Sequence, residues 1–145
     1  MSRKIFTVGY EAVTLANVLG RLKAAGVRTV VDVRAVAASR RAGFSKTLLS
    51  SSLEGEGIAY VHLRDLGTPK AGREAARRGR VEEMRAIFVA HMQEPAARLQ
   101  FEHLKALAAA APAALLCYEA DACGCHRAVL AERLAAEADF EVVDL

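Results

Sequence analysis

Residues 27–33 read VRTVVDV, a run rich in β-branched residues and apolar almost throughout. Such a run is typical of a strand that is buried on both faces of a parallel sheet. On its amino-terminal side, Thr14 is suited to cap an amphipathic helix that ends at Gly26. On its carboxyl side, residues 34–44 follow no helical or strand period and predict a loop. The pattern is therefore helix, buried strand, loop.

The rest of the chain continues this alternation. Further strands are predicted over residues 5–8, 58–63, 113–118 and 140–144, and further helices over 45–56, 81–93, 95–111 and 126–138. Residues 66–80 are predicted to be an irregular loop because glycine, proline and arginine interrupt them. Alternating strands and helices indicate a three-layer α/β/α fold with a mostly parallel sheet of about five strands. We expect a single domain over residues 1–145.

The composition excludes several classes of protein. Hydrophobic residues make up 53% of the 145-residue chain, which excludes disorder, and no apolar run approaches the length of a membrane span. The start of the chain shows no signal-peptide core, so we expect a cytoplasmic protein with no membrane partner. The three cysteines, Cys117, Cys123 and Cys125, lie close together, which favours reduced thiols over a disulfide framework.

Charge is unevenly placed along the chain. Residues 1–80 contain 15 Lys/Arg against 6 Asp/Glu, whereas residues 81–145 contain 5 against 11. The first part is suited to attract phosphates or other anions. The alternative is that the two parts neutralise each other on the folded surface.

The candidate site residues follow from the predicted fold, because ligands bind beyond the carboxyl ends of parallel strands. The residues at or just after those ends are Gly9, Tyr10 and Glu11; Asp32, Arg34, Arg40, Arg41 and Lys46; His62; Cys117 and Glu119; and His126 and Arg127. We expect the fold to gather them around one hollow, with Arg34 and Arg127 on the same side of the molecule.

Two kinds of chemistry fit these residues. Arginine and lysine in the set are suited to hold a phosphate or carboxylate, although a solvated basic loop is the alternative. Cys117 is a candidate nucleophile with His126 as its base, although a buried structural thiol is the alternative. Glu119 and Asp32 are candidates to orient a neighbour or accept a proton, and Asp32 alternatively pairs with Arg34.

A metal is the third possibility. Cys117, Cys123, Cys125 and His126 are all of the types that zinc prefers. Because Cys125 and His126 are adjacent, we expect that they do not both point at one ion. No metal and no other cofactor is therefore predicted.

Several short motifs in order resemble the bacterial and archaeal family called domain of unknown function 488. The motifs are TVGYE at residues 7–11, VDVR at 31–34, SRR at 39–41, FSK at 44–46, YVHL at 60–63, LLC at 115–117 with Glu119, and CHR at 125–127. The resemblance implies an α/β domain with its motif residues on one side. These motif residues include Ser39, Phe44 and Cys125 in addition to most of the candidates named above. The chain departs from the family pattern at 35–38, where members often carry proline, and at Cys123.

The leading functional hypothesis is an enzyme-like domain that binds an anionic, phosphate-bearing ligand such as a nucleotide or nucleic acid. A non-catalytic nucleic-acid-binding or regulatory module is the first alternative, and a thiol or metal sensor is the second. Whether the domain is an enzyme stays open at this point, as do its substrate and oligomeric state.

Overall fold

A five-stranded sheet with helices on both faces forms the structure, a computed structural model that describes residues 3–119 and 125–145. The strands are β1 (Arg3–Gly9), β2 (Thr29–Asp32), β3 (Ala59–His62), β4 (Ala113–Cys117) and β5 (Phe140–Asp144). The helices are α1 (Leu15–Ala24), α2 (Lys46–Gly55), α3 (Lys70–Arg77), α4 (Val81–His91), α5 (Pro95–Ala110) and α6 (His126–Glu137), and Arg64–Leu66 form a short 3₁₀ turn.

The sheet is parallel throughout, with strand order β3-β2-β4-β1-β5. Its register places the carboxyl ends of four strands side by side. Gly9 lies opposite Cys117, and Asp32 lies between His62 and Leu116. This row is the edge at which sites form in parallel sheets.

Each face of the sheet has its own apolar core. On one face, α1 and α2 bury side chains such as Val18 and Leu53 against the sheet. On the other, α4, α5 and α6 bury side chains such as Phe88, Leu104 and Leu130. The predicted three-layer α/β/α class with about five strands is thereby confirmed.

Of the predicted helix ends, those of α1 are confirmed and the cap of α2 differs from the prediction. The Thr14 side chain accepts a hydrogen bond from the backbone N–H of Asn17, which confirms the predicted cap of α1. Gly26 follows that helix with a φ of 75°, the left-handed conformation that favours glycine. Ser45 precedes α2 as predicted, but its hydroxyl donates to the carbonyl of Ser39 rather than capping the helix.

The prediction of an irregular loop over residues 66–80 is wrong. The stretch contains the end of the 3₁₀ turn and the helix α3, which follows Pro69. Gly72 lies inside that helix, where a Cβ would lie 2.3 Å from a Thr68 methyl and 3.3 Å from Ile87 of α4. The glycine therefore permits close packing of α3 against α4 instead of breaking the helix.

Among residues 3–119 and 125–145, no helix combines the length and the apolar character that crossing a bilayer would require.

Candidate functional site

A pocket of about 770 Å³ opens at the carboxyl edge of the sheet. Eight residues that the sequence predicts for the site line it: Tyr10, Glu11, Arg34, Arg40, Arg41, Cys117, Glu119 and His126. They come from segments that follow β1, β2 and β4 and from the start of α6. The structure therefore brings together residues that are up to about a hundred positions apart in the chain.

The other five predicted residues do not line this pocket. Asp32 is fully buried beneath it, and Gly9 ends β1 beside Cys117. Lys46 and His62 line a neighbouring, more open hollow together with Arg64 and Asp65. The fifth exception, Arg127, is 1% exposed, and its Nη1 donates to the backbone carbonyl of Glu119. Arg127 thus holds the segment that follows β4.

Asp32 and Arg34 form a buried ion pair. The Asp32 carboxylate accepts from Arg34 Nε at 2.9 Å and from Arg34 Nη2 at 2.7 Å, and it also accepts from the Tyr60 hydroxyl. Arg34 Nη1 donates to the Tyr10 hydroxyl at 3.0 Å and to the Phe44 carbonyl at 2.7 Å. Four of the five guanidinium N–H groups therefore have partners within the protein.

The environment of this pair shifts two pKa values upward. Burial opposes the charge of Arg34, but its hydrogen bonds and charge attraction to Asp32 hold its pKa above the usual value. Burial and the neighbouring Asp32 carboxylate raise the pKa of Tyr60, so this phenol stays protonated. Arg34 Nη1 binds both Tyr10 and Phe44, whose rings stack with centroids 4.3 Å apart. The ion pair therefore helps to position Tyr10 in the pocket wall.

Two thiols and an imidazole converge at the floor of the pocket. His126 Nδ1 lies 3.7 Å from Cys117 Sγ and 3.6 Å from Cys125 Sγ, and all three ligand atoms are within 4.8 Å of one another. The other ring nitrogen, Nε2, lies 2.7 Å from the carbonyl of Val33. Because a carbonyl only accepts, Nε2 carries the proton in that bond and Nδ1 faces the sulfurs.

This geometry corrects one expectation. The adjacent residues Cys125 and His126 do point at one place, contrary to the prediction. Cys125 is in extended conformation immediately before α6, with φ −126° and ψ 147°, while His126 is the first helical residue. The change of backbone conformation between them turns both side chains toward Cys117. Cys123, the other cysteine singled out in the sequence, lies outside the described residues.

The three groups and Glu119 influence one another's ionisation. The hydrogen bond between the thiols and then burial raise the pKa of Cys117, whose Sγ donates to Glu119 Oε2 at 3.2 Å. Burial opposes ionisation of Cys125, but the Cys117 hydrogen bond and the neighbouring His126 lower its pKa. Burial raises the pKa of Glu119, and Cys125 raises it further. Burial alone would lower the pKa of His126, yet the Cys125 thiolate raises it.

The pocket also contains residues absent from the predicted set. Cys125 was named only as a motif residue and as a possible zinc ligand, with no catalytic or anion-binding role, and it lines the pocket. Arg73 and Arg77 line the pocket from α3 and were missed because their segment was predicted to be a loop. Their spacing of four residues, which places both on one face of a helix, is the signal that identifies them.

The fold and the site define a parallel α/β protein with a thiol–imidazole cluster below an arginine-lined pocket. The chain belongs to the family described as domain of unknown function DUF488, whose family model matches residues 14–134. The predicted resemblance is thereby confirmed. Searches of the curated proteins and of the solved structures found no match.

Proposed function

We propose that the pocket binds a small phosphate-bearing anion, such as a nucleotide, and presents it to the cysteine–histidine cluster. The observation that carries this proposal is the set of guanidinium groups at the pocket wall. Arg40 and Arg41 come from the segment after β2, and Arg73 and Arg77 come from α3. Two separate segments of the chain therefore contribute positively charged guanidinium groups to the same pocket.

These four arginines keep their charge available to a ligand. Among the described residues, none of them forms a salt bridge with a carboxylate. Arg73 donates one N–H to the Thr68 carbonyl at 2.9 Å, and Arg41 donates one to the Val13 carbonyl, which anchors both side chains. Arginine offers paired N–H donors that match phosphate and carboxylate oxygens.

The assignment differs from the sequence prediction in which residues bind the anion. Arg34 is neutralised by Asp32, Arg127 holds a backbone carbonyl, and Lys46 belongs to the neighbouring hollow. Binding of the anion therefore falls to Arg40 and Arg41, which were predicted, and to the two arginines of α3.

The size of the pocket favours a small molecule over nucleic acid. A volume of about 770 Å³ falls within the usual range for small-ligand sites. Tyr10, Ala76 and Met84 supply apolar wall, which suits a ligand with both a phosphate and a less polar part. Cys117 and Cys125 are free thiols, which fits a reducing compartment, and we propose the cytoplasm.

Calorimetric titration with inorganic pyrophosphate and a panel of nucleoside mono-, di- and triphosphates tests the proposal. We expect at least one of them to bind, and Arg73→Ala to weaken binding about 10- to 100-fold, the effect of losing one or two charge-assisted hydrogen bonds. Arg98→Ala on α5 is the matched control, because it removes the same charge from an exposed position outside the pocket.

Two results would contradict this function. One is equal binding by wild-type protein and Arg73→Ala. The other is the absence of binding by the whole panel, combined with binding of an oligonucleotide. The second result would instead support the non-catalytic nucleic-acid module.

A further inference from the structure

We infer that Cys117, Cys125 and His126 bind one zinc ion, with a fourth coordination position open to the arginine-lined pocket. The inference deepens the proposed function, since it assigns a cofactor to the floor of the same pocket. It stands on the geometry of the three residues and so remains testable if no anion binds.

The spacing of the ligand atoms matches tetrahedral zinc. Zn–S bonds of about 2.3 Å and Zn–N bonds of about 2.0–2.1 Å place sulfur and nitrogen ligands about 3.6 Å apart in a tetrahedron. The observed separations of His126 Nδ1 from the two sulfurs are 3.7 and 3.6 Å. Both sulfur–nitrogen separations therefore match those of a tetrahedral zinc site, and the two sulfurs lie within 4.8 Å of each other.

The surroundings of His126 provide a second observation. Its Nε2 is held by the Val33 carbonyl at 2.7 Å, which fixes the ring with Nδ1 facing the sulfurs. Zinc-binding histidines usually donate their other ring N–H to a carbonyl or carboxylate in this way. The Phe88 ring packs edge-on at 5.1 Å and further restricts the imidazole.

The donor set selects zinc among common divalent ions. Two thiolates and one imidazole suit zinc, whereas magnesium and calcium take oxygen ligands. Binding of the ion displaces to solvent any protons on the two sulfurs and on Nδ1, and the two thiolates then neutralise the charge of Zn²⁺. A neutral complex is favoured here because all three residues are buried, with exposed fractions between 1% and 6%.

The fourth position is assigned to the pocket. Glu119 lies beside Cys117, but it is not part of the group whose ligand atoms all lie within 4.8 Å of one another. All three ligands line the pocket. Among residues 3–119 and 125–145, these three residues are the ones whose ligand atoms converge. Three protein ligands with one open position are the arrangement of catalytic rather than structural zinc sites. Water or an oxygen of the bound anion would occupy that position.

Metal analysis of the full-length chain, purified reduced and without a histidine tag, tests the inference. We expect about one zinc per wild-type chain and a loss of more than about tenfold in Cys117→Ser, Cys125→Ser and His126→Asn. Glu119→Gln and the exposed-histidine control His103→Asn are expected to retain zinc. Zinc retained in all ligand variants, or lost in either of these two folded controls, would overturn the assignment.

A second measurement avoids variants that fail to fold. Wild-type protein is stripped with a chelator, reduced, checked for folding by circular dichroism and titrated with Co²⁺ alone. We expect the visible bands of tetrahedral cobalt and a thiolate-to-cobalt charge-transfer band, both removed by added Zn²⁺. A folded, reduced chain that shows neither band sinks the inference, as does isolation of a metal-free Cys117–Cys125 disulfide from reducing cells.

The two proposals fail separately. Arg73→Ala is expected to lose anion binding while keeping its zinc, because Arg73 is not a ligand. Zinc binding without any anion binding would end the proposed function alone. Anion binding by a chain that takes up neither zinc nor cobalt would end the zinc inference alone.

Discussion

At the scale of single residues, the partner of an arginine decides its role. Arg34 and Arg73 both line the pocket, yet Arg34 donates two hydrogen bonds to the Asp32 carboxylate whereas Arg73 donates one to a backbone carbonyl. Asp32 and Arg34 stand at the end of an apolar strand because each neutralises the other there. Removing one partner of such a pair leaves an uncompensated buried charge, which is strongly unfavourable.

Asp32→Asn is therefore expected to destabilise the protein by about 3–5 kcal/mol, because Arg34 stays buried without its counter-ion. The free energy of unfolding from a urea titration measures the loss. Glu102→Gln is the control, since Glu102 pairs with Lys105 at the surface and the loss of such an exposed pair is expected to change the free energy of unfolding little. Equal effects of the two substitutions would show that the buried pair contributes little.

At the scale of elements, glycines decide how closely segments approach. A Cβ at Gly67 would lie 2.2 Å from the backbone nitrogen of Ala35, so the turn after β3 packs directly on the loop after β2. Gly72 plays a comparable part between α3 and α4. At Gly67 the close neighbour is backbone and at Gly72 it is the side chains of Thr68 and Ile87. Both glycines therefore indicate close packing and not a break in structure, which explains why α3 was missed.

Gly67→Ala is expected to destabilise the protein by about 1–3 kcal/mol, because the added methyl group must push two backbone segments apart. Gly20→Ala in α1 is the matched control. Nothing lies within 4 Å of its Cβ position, so there the same change is expected to stabilise the helix by about 0.5–1 kcal/mol. Thermal unfolding of both variants gives the comparison, and a melting temperature for Gly67→Ala at or above that of wild type would refute the close packing.

At the scale of the whole molecule, the uneven charge is only slightly neutralised by direct pairing. Among the ion pairs of the described residues, Arg80–Glu83 is the one that joins residues 1–80 to residues 81–145. Four of the fifteen basic residues of the first part, Arg40, Arg41, Arg73 and Arg77, line the pocket. Arginines grouped around a pocket of small-ligand size favour a small anion over an extended polyanion.

The salt dependence of binding tests that distinction. Between about 50 and 200 mM salt we expect nucleotide affinity to fall only several-fold. The reason is that salt screens only the few charge contacts that a nucleotide makes in a recessed pocket. A protein that tracks six to ten phosphates of a duplex loses about 10³–10⁵ in affinity over that range. Calorimetry at the two salt concentrations measures the slope for the nucleotide, and fluorescence anisotropy measures it for a labelled duplex. A duplex that binds more tightly than any nucleotide, with the steep slope, would contradict the small-ligand assignment.

The sequence by itself determined the order of the strands and of every helix except α3, the parallel sheet and the edge at which the site lies. These features follow from local patterns: β-branched runs such as residues 27–33, helical spacing, and the rule that connects parallel strands through helices. The same local patterns placed Cys117, His126 and Arg40 at that edge correctly.

Only the tertiary structure decided the strand order, the partner of Arg34, the presence of α3 and the meeting of Cys125 with His126. The bond between Arg34 and Tyr10 and the one between His126 and Val33 join residues 24 and 93 positions apart. No local pattern encodes such contacts, because they depend on which strands become neighbours and on where the backbone turns. The arrangement of Cys117, Cys125 and His126 at the pocket floor therefore followed only from the folded structure, which brings these segments together.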